Sequence, residues 1–112
     1  MIYRMRIYRA VEENLAVFHD FFRTHLLPVQ LRHGARLVGR WETEDGRVVA
    51  VWEYDDDEAY RRIQAAVAAD PATHRAQEVR RTLPMLFTAR EEVFMRAAPE
   101  GLASPKSSDG AG

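Results

Sequence analysis

The chain of 112 residues has no cysteine. That excludes disulfide cross-links, thiol redox chemistry and thiolate metal sites. It also has no excess of charge: 16 basic against 17 acidic residues leave a formal net charge of −1, which provides no electrostatic footprint for nucleic acid. No stretch approaches the roughly 20 apolar residues of a membrane-spanning helix. The opening run MIYRMRIYR lacks the apolar segment of a secretory signal, so a cytoplasmic location is the default expectation. There is no Gly-rich phosphate loop, and no Ser, Cys or Thr stands in a nucleophile motif. His19, His25, His33 and His74 are spaced too irregularly for a zinc site, so neither a metal nor a cofactor is expected.

What is present is ordinary globular material. Apolar residues make up 46% and charged residues 29%, enough for one domain with a core that needs no staples. Ala35–Tyr54 organises the chain, because its Val, Trp and Tyr suit a pleated surface and Asp45-Gly46 offers a turn. A two-residue turn there pairs Glu44 with Arg47. Leu37, Gly39, Trp41, Ala50, Trp52 and Tyr54 then share one face, with Trp52 packed over Gly39. Val38, Arg40, Glu42, Val49, Val51 and Glu53 share the other, with Arg40 diagonal to Glu53. Neither face is polar throughout, so both need cover. One helical layer supplies only one of them, and a second copy of the chain is the simplest source of the other.

The remaining segments fit around this hairpin. Ile2–Arg9 alternates as a strand, with Tyr3, Met5 and Ile7 on one side and Arg4, Arg6 and Tyr8 on the other. Glu12–His33 has a helical stripe of Leu15, Phe18, Phe22, Leu26 and Val29, closed by Gly34 and interrupted by Pro28. A second helix starts at Asp55-Asp56-Asp57-Glu58, where Asp55 and Glu58 have capping-box spacing, and stops near Asp70-Pro71. A short third helix runs to about Leu83, and Leu86–Arg96 is the last strand. The order β-α-β-β-α-(α)-β is that of a ferredoxin-like α+β fold with a four-stranded antiparallel sheet, over residues 1–96. Residues 97–112 lack apolar periodicity and are expected to form a disordered tail. The sheet face away from the helices still carries apolar and aromatic side chains, which points to a homodimer closing as an α/β barrel.

His25-Leu26-Leu27-Pro28, His33 through Gly39, and Trp52-Glu53-Tyr54-Asp55 followed by a helix and Asp70-Pro71 resemble the NIPSNAP family, a branch of the dimeric α/β-barrel superfamily. The resemblance covers about residues 2–96 and implies a ferredoxin-like dimer. It implies little chemistry, because the small bacterial members are mostly of unknown function. Related branches include cofactor-independent monooxygenases, haem-degrading enzymes and small-molecule isomerases.

Candidate site residues follow from position and chemistry. His25 lies at the edge of the helical stripe, where it is either an acid/base group or a cap for the carbonyl that Pro28 leaves free. Glu53 beside Arg40 is either a tuned base with a ligand-binding arginine or a satisfied ion pair. Tyr3, Trp41, Trp52 and Tyr54 could wall a pocket for a flat apolar substrate, although aromatics at such spacings are more commonly core. Arg4 and Arg6 on a central strand need acidic partners or line an anion site. These readings converge on a homodimer that binds a small apolar or aromatic molecule between helix and sheet, with Tyr3, Arg40, Trp41, Trp52 and Tyr54 contacting it. The rival readings are a cofactor-free monooxygenase or isomerase with His25 or Glu53 as base, and a structural or interaction dimer without a pocket.

Overall fold

In a computed structural model, which describes residues 1–102, the alternating first segment forms strand β1 (Ile2–Ala10). A 3-10 turn at Glu12–Asn14 leads into helix α1 (Leu15–Phe21), a π-turn (Phe22–Leu26) and helix α2 (Leu27–Arg32). Strands β2 (Arg36–Glu42) and β3 (Arg47–Tyr54) come next. Helices α3 (Asp57–Ala69) and α4 (Pro71–Thr82) then precede strand β4 (Phe87–Met95). The sheet order is β2-β3-β1-β4 with every pair antiparallel, the ferredoxin-like arrangement expected from the sequence. Residues 97–102 form neither helix nor strand, and the rest of the expected tail lies outside the described residues.

The hairpin differs from expectation by one residue of register. Glu42 pairs with Val48, Trp41 with Val49 and Arg40 with Ala50, so the loop holds three residues, Glu44 to Gly46. Thr43 is the reason. Its amide donates to the Arg47 carbonyl at 2.8 Å, its carbonyl accepts from Gly46 at 3.3 Å, and its hydroxyl accepts from the Arg47 amide at 2.9 Å. Only Gly46 takes a positive φ, of 87°, whereas a two-residue I′ turn requires one at Asp45 as well. A bulge at Val38, between Leu37 and Gly39, shifts the register once more and returns Leu37 to the side of Trp52.

Because side chains alternate, this slip changes the faces. Arg40 now lies on the helix side with Ala50, while Trp41 and Glu53 lie on the open side. The expected Arg40–Glu53 pair therefore does not form. Nor does Trp52 cover Gly39. It is the Trp41 ring that lies over Gly39, where an added Cβ would come within 2.5 Å of it.

The helical layer follows local chemistry. Pro28 has no N–H for the Thr24 carbonyl, and the chain absorbs the loss as the π-turn, with the Leu27 amide reaching back to Phe22. Gly34 ends α2 at φ 105°, with its amide bonded to Leu31 and that of Ala35 to Gln30, a Schellman closure. The N-cap of α3 is Asp56, which accepts from the Ala59 amide at 2.7 Å. The expected cap, Asp55, is instead drawn to Arg36.

Asp70 caps α4 through the Ala72 amide at 2.8 Å and also accepts from Arg32 at 2.5 Å and His33 at 2.8 Å. Arg32, then that amide, then His33 hold its carboxyl well below the usual carboxylate range. A carboxyl depressed in this way stabilises the fold above its unfolded pKa of ~3.9 and loses that contribution as pH falls towards the folded value. Thermal melts should therefore show the wild type losing more Tm than Asp70→Asn between pH 5 and pH 2. At pH 7 the variant should melt lower. Equal slopes below pH 4 would contradict this role.

The core divides in two on the helix side of the sheet. One cluster gathers Ile2, Phe22, Val29, Trp52, Tyr54 and Ile63. The other gathers Phe18, Phe21, Val48, Ala76 and Leu86. The break between them positions the site.

Candidate functional site

Across that break, Arg40, Ala50, Arg6 and Glu92 occupy matching positions on β2, β3, β1 and β4. Sequence alternation directs the whole row at the helices, since Tyr8 and Arg4 on β1 and Val48 and Trp52 on β3 share that face. Ala50 is the only small residue in the row, and its two neighbours are arginines. Above it lies a cavity of about 240 Å³. Phe18, Phe21, Phe22, Leu26 and Gln30, contributed by α1, the π-turn and α2, form its roof. Trp52, Tyr8 and Phe87 form its aromatic walls. Among the described residues, five arginines and no carboxylate line it: Arg4, Arg6, Arg40, Arg80 and Arg90.

The arginines are not equivalent. Arg4 donates to Glu92, so the one acid of the row is already used. Arg80 lies over the Phe87 ring at 4.6 Å. Among the described residues, Arg6, Arg40, Arg80 and Arg90 have no carboxylate within ion-pair distance. Arg40 packs its guanidinium 4.2 Å from the Phe22 ring centre and 5.1 Å from that of Phe18. Such contacts are worth ~0.5–2 kcal/mol each but do not satisfy N–H donors. One donor of Arg40 reaches His19 Nδ1 at 2.6 Å, which assigns the His19 proton to Nε2, where it is donated to Glu42 at 2.8 Å. The other terminal nitrogen of Arg40 is buried without a partner, and so is Nε of Arg6, whose guanidinium lies 5.4 Å from the Tyr8 ring. Burial lowers the Arg40 pKa from its ordinary value, although a guanidinium remains charged at any physiological pH. A buried donor left unmade costs ~1–3 kcal/mol, and more when charged.

The residues singled out from the sequence divide among several places. Arg40 and Trp52 line the cavity. Tyr54 is fully buried core against Tyr60, with ring centres 5.0 Å apart. Tyr3 and Trp41 are on the opposite, open face of the sheet. Glu53 is there too, accepting from Tyr3 at 2.9 Å and Arg36 at 2.6 Å. Arg36, then Tyr3, hold the Glu53 carboxyl below its usual range, the opposite of what a base working near neutrality needs. The His25 ring lies tilted against Phe21, with ring centres 5.4 Å apart, and lines a more open groove of about 600 Å³ with Thr73, Gln77 and Arg81. That groove shares Phe21, Leu26, Gln30 and Arg80 with the cavity, but neither His25 nor Glu53 lines the cavity itself.

Several participants escaped the sequence reading. Phe18 and Phe22 read correctly as an inward stripe, but a stripe does not reveal that its partner strand carries arginines. His19 stood out only as one of four irregularly spaced histidines. Arg80 and Arg90 carry no local signal. Beyond Arg40 and Trp52, the usable clue was Arg4 and Arg6 on a central strand.

Comparison with known proteins supplies the kinship. A family model described as NIPSNAP matches residues 3–99. A NIPSNAP domain protein from Burkholderia xenovorans, itself uncharacterized, is 27% identical, with a TM-score of 0.76 over 88% of this chain and 95% of the other. A NIPSNAP family protein of unknown function from Agrobacterium tumefaciens is 21% identical, with a TM-score of 0.72 over 85% of this chain and 86% of the other. An antibiotic biosynthesis monooxygenase shares the fold at 14% identity and a TM-score of 0.60, over 88% of this chain and all (100%) of the other. No curated protein matches the sequence.

Proposed function

Because the chain belongs to the NIPSNAP family, whose solved relatives leave the activity open, we propose from the site itself that the protein is a homodimer binding a small molecule with an apolar or aromatic body in the helix–sheet cavity. The observation that carries this is the gap above Ala50, where a continuous core would be expected and aromatic rings and arginines stand instead. Native cores are close-packed, and an interruption of this size is a ligand site in the making. At about 240 Å³ it falls just below the ~300–1,000 Å³ of ordinary small-molecule sites, so the ligand is small.

The open face of the sheet supports the dimer. Met5 and Ile7 on β1, Val49 and Val51 on β3 and Val93 on β4 are paired across it, with Trp41 at its β2 edge. Trp41 is 51% and Val93 39% exposed in the single chain, an apolar surface that a second sheet would cover. No helix among the described residues is long and apolar enough to cross a membrane, and a cytoplasmic location remains the working expectation.

Native mass spectrometry of the purified protein tests both parts. The expected result is a dimer that takes up small aromatic molecules, each lost on denaturation. Ala50→Leu, which places a larger side chain in the floor of the cavity, should abolish uptake and leave the dimer intact. Uptake unchanged by Ala50→Leu would move the ligand out of this cavity.

A further inference from the structure

We infer that the molecule held in the helix–sheet cavity is a small carboxylic acid, with its carboxylate bound between Arg6 and Arg40 over Ala50 and its apolar body among Phe18, Phe22 and Trp52. This rests on the cavity being a ligand site, and it names the chemical class of the ligand. Arg6 and Arg40 stand on the two strands flanking Ala50, so their guanidiniums border one space from opposite sides. Each presents a buried nitrogen with no hydrogen-bond partner among the described residues, Nε from Arg6 and a terminal nitrogen from Arg40. Two half-buried guanidiniums that line one cavity without an acid repel, and their buried nitrogens lack solvation; one anion between them reduces both penalties. Among the described residues no carboxylate lines the cavity, and Glu92, the only acid in the row, is engaged by Arg4.

The donor set also selects among anions. A carboxylate has two oxygens, one for the unpartnered nitrogen on the planar fork of each arginine. A phosphate brings three or more oxygens and a second charge. Over Ala50, among the described residues, two buried nitrogens stand without partners, which matches two oxygens, and the rings of Tyr8, Phe18, Phe22 and Trp52 beside them offer an apolar surface. His19 fixes the geometry: by accepting from one terminal nitrogen of Arg40 it holds the guanidinium in place, and among the described residues the other terminal nitrogen has no partner.

The test is calorimetric titration at pH 7 with benzoate, phenylacetate and 3-phenylpropionate, each run beside its neutral primary amide. Arg6→Met, Arg40→Met and Arg40→Lys are compared with the wild type and with Arg81→Met, a change confined to the outer groove. Circular dichroism and melting curves check that each variant is folded. The expected result is that at least one acid binds and its amide does not. Either Met variant should weaken that acid on the order of 30-fold or more, the size of effect seen when a buried charge pair loses one member. Arg40→Lys, which keeps the charge but not the fork, should fall between, and Arg81→Met should match the wild type. Equal binding of an acid and its amide, unaffected at Arg6 and Arg40, would overturn the carboxylate assignment while leaving the cavity as a ligand site. Binding of no member of the panel would overturn the cavity reading and this inference with it.

Discussion

A Val51→Asp variant is expected to sediment as a monomer at micromolar concentration, and the wild type as the proposed dimer. Val51 sits mid-strand on β3, paired with Met5 on β1 and Gly39 on β2, on the sheet face that the helices do not cover. A carboxylate there lies among Met5, Ile7 and Val49, with Arg36 already committed to Glu53 and Asp55. Burying it unpaired between two sheets costs several kcal/mol, and ~3 kcal/mol alone raises a dissociation constant about 100-fold. The helix-side core does not contact this position, so circular dichroism should remain that of a folded chain. Val51→Thr keeps the shape and should stay dimeric. A dimeric Val51→Asp protein would place the interface elsewhere.

Leu86→Ala is expected to produce the largest loss of stability from a single truncation. Leu86 has no exposed surface and packs with Phe18, Phe21, Val48 and Ala76 beside the cavity. Removing a buried leucine costs about 2–5 kcal/mol, because rigid neighbours do not close the hole. A small domain has only ~5–15 kcal/mol in total, so a fall in Tm on the order of 10 °C or more is expected. Leu31→Ala offers the contrast, since Leu31 is 48% exposed and its truncation should change Tm little. Comparable losses for both variants would mean that the Leu86 cluster is not tightly packed.

Much of the fold could be read from the sequence because its signals are local and repeated. The alternation of β1, the helical stripe from Leu15 to Val29, Gly34 as a closing residue and Asp70-Pro71 as a break each depend on neighbours in the chain. The hairpin register did not yield to that reasoning. Asp-Gly suits both two- and three-residue turns, and the choice fell to the Thr43 hydroxyl and carbonyl, which receive the amides of Arg47 and Gly46. A shift of one residue then exchanged the faces of Arg40 and Trp41, and the imagined Arg40–Glu53 site dissolved into two unrelated places. The cap of α3 moved by one residue for a similar reason, because the Asp55 carboxylate had a stronger partner in Arg36. The real site depends on four strands aligning Arg40, Ala50, Arg6 and Glu92, a register across three pairings that no single segment encodes. Besides Arg40 and Trp52, Arg4 and Arg6 gave an advance sign of it: charged side chains on a central strand require partners, and of these two arginines Arg4 alone has an acidic one among the described residues.

A crystal structure with 4-iodobenzoate tests the central claim most directly, since the anomalous signal of iodine locates the ring without reference to any model. The expected result is an iodine peak in the cavity, among the rings of Phe18, Phe22 and Trp52, with the carboxylate against Arg6 and Arg40. An iodine peak in the outer groove beside His25, with the space over Ala50 left to the protein's own side chains, would contradict it.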